Sequence, residues 1–256
     1  MGYVFDFNDA RTYERSLNQR SNRLLVDLEH KLLFDLLKPV PGKTALAVGC
    51  GTGASIAPLV EAGVRITGLD PSPYMLDIAS KKFGHRVDLH RGVAEDLPFD
   101  DNSFNYVCLI TTLEFVDNPL KALEEACRVA RNKIFIGVMN RYAIRGIQLR
   151  IKGIFKKTYY NHARFYSVWE LKQILRNLLG DVPISWRTVC HLPSASGRFT
   201  QKVERLSMIQ RCPFGLYAGM VVSPVPRFGT NPLTISYGSK PAAGEATSCL
   251  FNKTNR

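Results

Sequence analysis

The sequence predicts an α/β protein: a doubly wound, mostly parallel sheet with helices on both faces and an antiparallel pair closing one edge. Two observations carry this. Short β-branched and apolar runs alternate with helical patterns up to residue 139, the rhythm of a parallel sheet and its crossover helices. Two further strand-like runs follow, joined by a long connection, which suits an antiparallel pair.

A helical lead-in, residues 1–40, comes first. Strands are expected at Ala45–Val48, Arg65–Leu69, Val87–His90, Asn105–Ile110 and Lys133–Met139, with helices at Ser55–Ala62, Pro73–Phe83 and Pro119–Ala130 between them. Ser72-Pro73 and Asn118-Pro119 each place a capping side chain before a proline suited to the first helical position. Beyond Asn140 come a basic insert (Arg141–Ala163), a serine-capped helix (Ser167–Leu179), a strand (Ile184–Cys190), a helix (Phe199–Gln210) and a last strand (Leu216–Val222). Residues 223–256 are rich in Pro, Gly, Ser and Thr and lack periodicity, so they read as a loose tail. The expected organisation is therefore a cap (1–40), a main domain (41–222, with 141–166 as insert or lid) and a tail.

A chain of 256 residues, 45% apolar and 22% charged, can bury a sizeable core. Its net charge of +12 is uneven. Residues 1–139 carry 16 Lys and Arg against 18 Asp and Glu, whereas residues 140–256 carry 18 against 4. The second half is thus suited to an anionic partner or simply to a solvated surface. Charged residues interrupt the first fifteen positions, so no secretory signal is expected, and no run of eighteen apolar residues suggests a spanning helix. Six scattered cysteines form no CxxC pair and no metal-ligand spacing, which points to reduced thiols, a cytoplasmic location and no metal site.

The chemistry is carried first by TALAVGCGTGAS, residues 44–55. A strand running through glycines into a helix presents bare N–H groups to a ligand, and glycine is expected there to let the ligand approach. Asp70, at the tip of the next strand, can accept the hydroxyls of a ribose. Gly49-x-Gly51-x-x-Ala54 also satisfies a dinucleotide fingerprint, which leaves a dehydrogenase open at this point.

The ordered stretches ALAVGCGTG, ITGLDPSPYMLDIA, GVAEDLPFDDNSFNYV and LEFVDNPLKALEEACRVA resemble the class I S-adenosylmethionine-dependent methyltransferases, in particular the broad group with quinone and small-molecule methylating enzymes. The resemblance covers roughly residues 40–140. It implies a seven-stranded sheet with an antiparallel last strand, S-adenosylmethionine as cofactor, and methyl transfer to a small or lipophilic acceptor. It also implies that Gly49, Cys50, Gly51 and Gly53 wrap the methionine portion, Asp70 holds the ribose, and Pro71 and Met75 lie against the adenosine. Ala94 would offer its N–H to adenine beside Glu95, and Ile110 and Thr111 would approach the sulfonium. Acceptor groups are expected from Tyr13 and Asn140, from His162 as a base, and from Arg141 and Arg164 as clamps for a carboxylate or phosphate.

Two positions depart from the family. Ala47 stands where an acid is usual, and Val93 where many members carry an aspartate. Weakened but retained cofactor binding is expected; a non-enzymatic S-adenosylmethionine or S-adenosylhomocysteine binder stays open. A nucleic-acid methyltransferase is less favoured, because LITTLEF replaces any base-methylation motif after the fourth strand. No specific nucleic-acid partner is expected. Residues 141–157 arrange Ile144, Ile147, Ile151, Ile154 and Phe155 on one helical face with Arg and Lys borders, the pattern of a helix lying on an anionic membrane or of a lid.

Overall fold

A computed structural model describes residues 2–17, 19–143, 162–191 and 207–224. Two helices, α1 (Phe7–Leu17) and α2 (Arg20–Leu37), lead into the sheet. There follow β1 (Thr44–Val48), α3 (Ala57–Glu61), β2 (Arg65–Asp70), α4 (Pro73–Phe83), β3 (Val87–Arg91), β4 (Phe104–Ile110), α5 (Pro119–Val129) and β5 (Ala130–Met139). The chain ends in α6 (Val168–Leu179), β6 (Ile184–Val189), α7 (Ser207–Gln210) and β7 (Tyr217–Val222). The seven strands lie in the order β3-β2-β1-β4-β5-β7-β6. All neighbours up to β5 are parallel; β7 slots between β5 and β6 and runs antiparallel to both. The fold class read from the sequence is the one observed.

Period-two alternation along each strand divides the core between two faces. Leu46 and Val48 of β1 pack on one side with α5 and α6, while Ala45 and Ala47 pack on the other with Leu33, Leu37, Leu59 and Phe83. The helix starts follow the expected chemistry. Ser72 accepts from the Met75 N–H, Asn118 from Lys121 and Ser167 from Glu170, with proline at the first turn of α4 and α5. The helix expected over Ser55–Ala62 is shorter, because Ala54–Ile56 continue the turn of the glycine loop. Of the helix expected at Phe199–Gln210, only Ser207–Gln210 is described. The insert's amphipathic face (144–161) and residues 225–256 lie outside the described residues. No described helix is long and apolar enough to cross a membrane.

Helix α2 lies against β5, β6 and β7, and a cross-strand glycine pair lets it come close. Gly137 and Gly219 face each other in the β5–β7 ladder. A Cβ on Gly219 would meet Leu32 of α2 at 2.8 Å, and one on Gly137 would overlap the buried Tyr217 phenol. Overpacking of this kind costs about 1–3 kcal/mol. Gly137→Ala should therefore lower the unfolding free energy by that order, seen as a lower midpoint in urea with the m-value unchanged; a wild-type midpoint would show that the β5–β7 face tolerates the extra atom.

Candidate active site

The tips of β1, β2 and β4 open into one cavity of about 310 Å³, walled also by Val93–Glu95, the N-terminal strap and the helices α1 and α2. The loop after β1 supplies its floor. Gly49, Gly51 and Gly53 take positive φ of 66°, 55° and 77°, which explains glycine at each. Their missing side chains serve different ends, and the expectation that all three admit a ligand is corrected. A Cβ on Gly49 would collide with Thr112, and one on Gly53 with the Phe83 ring; at Gly51 it would meet nothing within 4 Å. Gly53 does not line the cavity, whereas Gly49, Cys50 and Gly51 do.

Asp70 is the polar centre of the floor. Its Oδ2 accepts from the Gly51 N–H at 2.8 Å and its Oδ1 from the Ser72 N–H at 2.9 Å. Burial pushes its carboxyl above the usual range, and these two N–H groups partly reverse the shift. Each oxygen retains accepting capacity on a cavity wall. Ser72 in turn donates its hydroxyl to the Phe5 carbonyl at 2.6 Å, and the Tyr3 N–H donates to the Phe115 carbonyl at 2.9 Å. These bonds draw residues 3–5 across the cavity as a strap. Phe5 meets Tyr3 and Phe115 edge-on, with centroids 5.3 and 5.1 Å apart.

Pro71, Met75, Ala94, Glu95, Ile110, Thr111 and Tyr13 also line this cavity. Ala94 rides on a loop fixed by Arg128, whose guanidinium donates to the Leu97 and Phe99 carbonyls and pairs with Glu125. The Glu95 carboxylate accepts from the Asp117 and Asn118 N–H groups, so it ties that loop to the start of α5. Thr111 takes a φ of 53° and donates its N–H to Gly137, which turns the chain sharply off β4. Thr112, unnoticed in the sequence, donates its hydroxyl to the Val48 carbonyl and so locks the tip of β4 to that of β1. Ala47 is buried in the core, and Val93 forms an apolar part of the cavity wall.

The other acceptor-side candidates stand elsewhere, and their expected roles are corrected. Asn140 is buried and spends both amide hydrogens on the Pro213 and Gly215 carbonyls, at 2.7 and 2.8 Å, so it sews β5 to the turn before β7. Arg141 donates to the Phe165 carbonyl, and Arg141 and Arg164 both pair with Glu170 at 3.1 Å. They meet on Glu170, outside the cavity wall. His162 is exposed and stacks on Tyr3 at 4.3 Å, outside the cavity wall.

Three titratable groups also escaped sequence reasoning. Glu29 of α2 lines the cavity and is partly buried. Glu114, just after β4, is buried; its Oε1 accepts from the Met139 N–H at 2.7 Å, while its Oε2 has no hydrogen-bond partner among the described residues. Burial pushes both carboxyls up to about 8, and the charge of Glu114 adds to the shift at Glu29. Burial lowers the pKa of His30, and the Ala54 carbonyl of the glycine loop opposes that shift. The signal was there: Glu29 lies four residues from both Leu25 and Leu33, which puts an acid on the apolar face of α2.

Residues 46–135 match the methyltransferase domain family. An uncharacterized protein of Methanocaldococcus jannaschii is 37% identical over 145 residues, which is 56% of this chain and 67% of that protein. A solved structure from Thermotoga maritima, a S-adenosylmethionine-dependent methyltransferase described as a possible histamine N-methyltransferase, superposes with a TM-score of 0.68 at 25% identity, covering 86% of this chain and 97% of that one. The chain belongs to the class I S-adenosylmethionine-dependent methyltransferases. The demethylmenaquinone methyltransferase of Renibacterium salmoninarum is 39% identical over 101 residues, 40% of this chain. The chain spans only about 42% of that relative's length. The family's cofactor is S-adenosylmethionine, and the residues present fit it: open space over Gly51, a buried carboxylate with unused accepting capacity, and an apolar wall at Val93 and Met75.

Burial pushes the Glu114 carboxyl up to about 8 from an ordinary 4.5. Folded molecules therefore hold a proton that unfolded ones release between those values. Stability from this site is fullest below pH 4.5 and declines as pH rises towards 8. Glu114→Gln cannot ionise. Its melting temperature should fall less steeply than that of the wild type across this interval, and parallel curves would contradict the assignment.

Proposed function

We propose that this methyltransferase transfers the methyl group of S-adenosylmethionine to a small or lipophilic acceptor by in-line displacement. The observation that carries the reading is the bond from the Gly51 N–H to Asp70 in the floor of a cavity roofed by residues 3–5. When bound, the cofactor supplies an electrophilic methyl on a sulfonium. The protein must then orient a nucleophile and exclude water.

Each wall has a task in that reading. Asp70 accepts from the ribose hydroxyls, and Gly49, Cys50 and Gly51 pass their main chain beside the methionine portion. Pro71, Met75, Val93 and Ala94 flank the adenine. Ile110 and Thr111 face the reacting end. Tyr3, Phe5, Tyr13 and Phe115 form an aromatic roof that shields the reaction from water and suits an acceptor with an apolar body. His162, Asn140, Arg141 and Arg164 lie outside the cavity wall, and this reading gives them no acceptor role. Similarity to methyltransferases named for demethylmenaquinone and for histamine supports a small-molecule acceptor.

Asp70→Asn keeps the side-chain shape and removes the charge. Losing one charge-assisted contact costs about 1.5–3 kcal/mol, roughly 10- to 150-fold in affinity. Calorimetry with S-adenosylhomocysteine should show a loss in that range, and unchanged affinity would sink the reading. Tight binding without transfer to any quinone, amine or phenol in a labelled-methyl screen would favour the non-enzymatic alternative.

One observation favours peripheral contact of a cytoplasmic enzyme with an anionic membrane through 141–157. Tyr142, Trp169 and Phe214 are each about half exposed (50, 51 and 47%) and touch in series, with ring centroids 6.0 and 6.3 Å apart, beside the start of the basic insert. Aromatic rings beside basic residues suit a membrane interface. Flotation with anionic vesicles should show salt-sensitive binding that Tyr142→Ser with Trp169→Ser reduces; absence of binding removes this part of the reading.

A further inference from the structure

Three carboxylates line the cavity: Glu29, Asp70 and Glu95. Among the described residues no lysine, arginine or histidine does. Two of the three are already engaged. Asp70 accepts from Gly51 and Ser72, and Glu95 from Asp117 and Asn118. Glu29 accepts no hydrogen bond from any described residue. It stands on α2 four residues from Leu25 and from Leu33, in a wall to which Leu25, Met139 and Leu216 also contribute. Leu32 packs closely over Gly219, which fixes the helix that carries this carboxylate against the sheet.

A carboxylate in such a wall is costly until a cation or several donors reach it. The other polar side chains that α1 and α2 bring to this cavity, those of Tyr13, Ser16 and Asn22, carry no positive charge. An anionic ligand group would meet repulsion there. A primary ammonium supplies a positive charge and three donors in a compact head. We propose that Glu29 is the ammonium-binding carboxylate of this cavity, and the proposal rests on the methyltransferase reading above. Two sources present that group: the aminoacyl end of the cofactor, and the amino group of an amine acceptor.

The test uses the full chain and its variants Glu29→Gln and Glu29→Asp. In the first arm calorimetry compares S-adenosylhomocysteine with 5′-methylthioadenosine, which lacks the amino-acid end. If the cofactor is the source, Glu29→Gln weakens the former by about tenfold or more and leaves the latter unchanged, while Glu29→Asp recovers part of the loss. In the second arm protein saturated with S-adenosylhomocysteine is titrated with 2-phenylethylamine and tryptamine, and with their neutral alcohols. If the acceptor is the source, the amines bind about tenfold or more tightly than the alcohols, and Glu29→Gln abolishes the preference. Binding of 5′-methylthioadenosine by the variant shows that it is folded. A glutamine variant that behaves as wild type in both arms overturns the proposal. Wild-type protein that binds neither nucleoside overturns the methyltransferase reading instead.

Discussion

One carboxylate joins three parts of this molecule that are distant in sequence. Asp70 ends β2, receives the Gly51 N–H from the loop after β1, and receives the Ser72 N–H at the start of α4. Ser72 then caps α4 through Met75 and reaches the Phe5 carbonyl. The floor of the cavity, the helix beside it and the strap above it are thus linked through two adjacent residues. Burial makes that arrangement tense, because it raises the Asp70 carboxyl above its ordinary range. Two backbone donors relieve only part of the cost, and a ligand with vicinal hydroxyls can relieve more.

The opposite wall depends on how closely α2 can approach the sheet. Gly137 and Gly219 remove two side chains from facing positions of β5 and β7, and Leu32, Phe135 and Tyr217 fill the space. The same helix then presents Glu29 to the cavity and His30 to the glycine loop. A helix that reads as a lead-in is therefore part of the site. The charge of the cavity follows from this placement: it is walled by carboxylates, aromatics and aliphatics, which fits a positively charged methyl donor.

Local signals in the sequence revealed the sheet well. Ser72-Pro73, Asn118-Pro119 and Ser167 mark helix starts through bonds that reach three residues along the chain, so the necessary information is adjacent. The Gly51–Asp70 relation was legible for a similar reason, since the two strands that carry them are neighbours in the sheet. Other features depend on residues far apart. Nothing near Gly53 announces Phe83, and nothing near Asn140 announces the Pro213 and Gly215 carbonyls that consume its amide. Arg141 and Arg164 read as an anion clamp in the sequence, but both meet Glu170, a partner 29 and 6 residues away. Glu29 shares the apolar face of α2 with Leu25 and Leu33, a legible signal, but only the packing of α2 over β5, β6 and β7 shows that this face lines a cavity.

The account stands most directly on where an adenosyl ligand sits. A crystal structure with S-adenosylhomocysteine should place both ribose hydroxyls within hydrogen-bonding distance of the Asp70 carboxylate, with the thioether facing Ile110 and Thr111 beneath the Tyr3–Phe5 strap. A ribose turned away from Asp70, or a nucleoside bound outside this cavity, would contradict it.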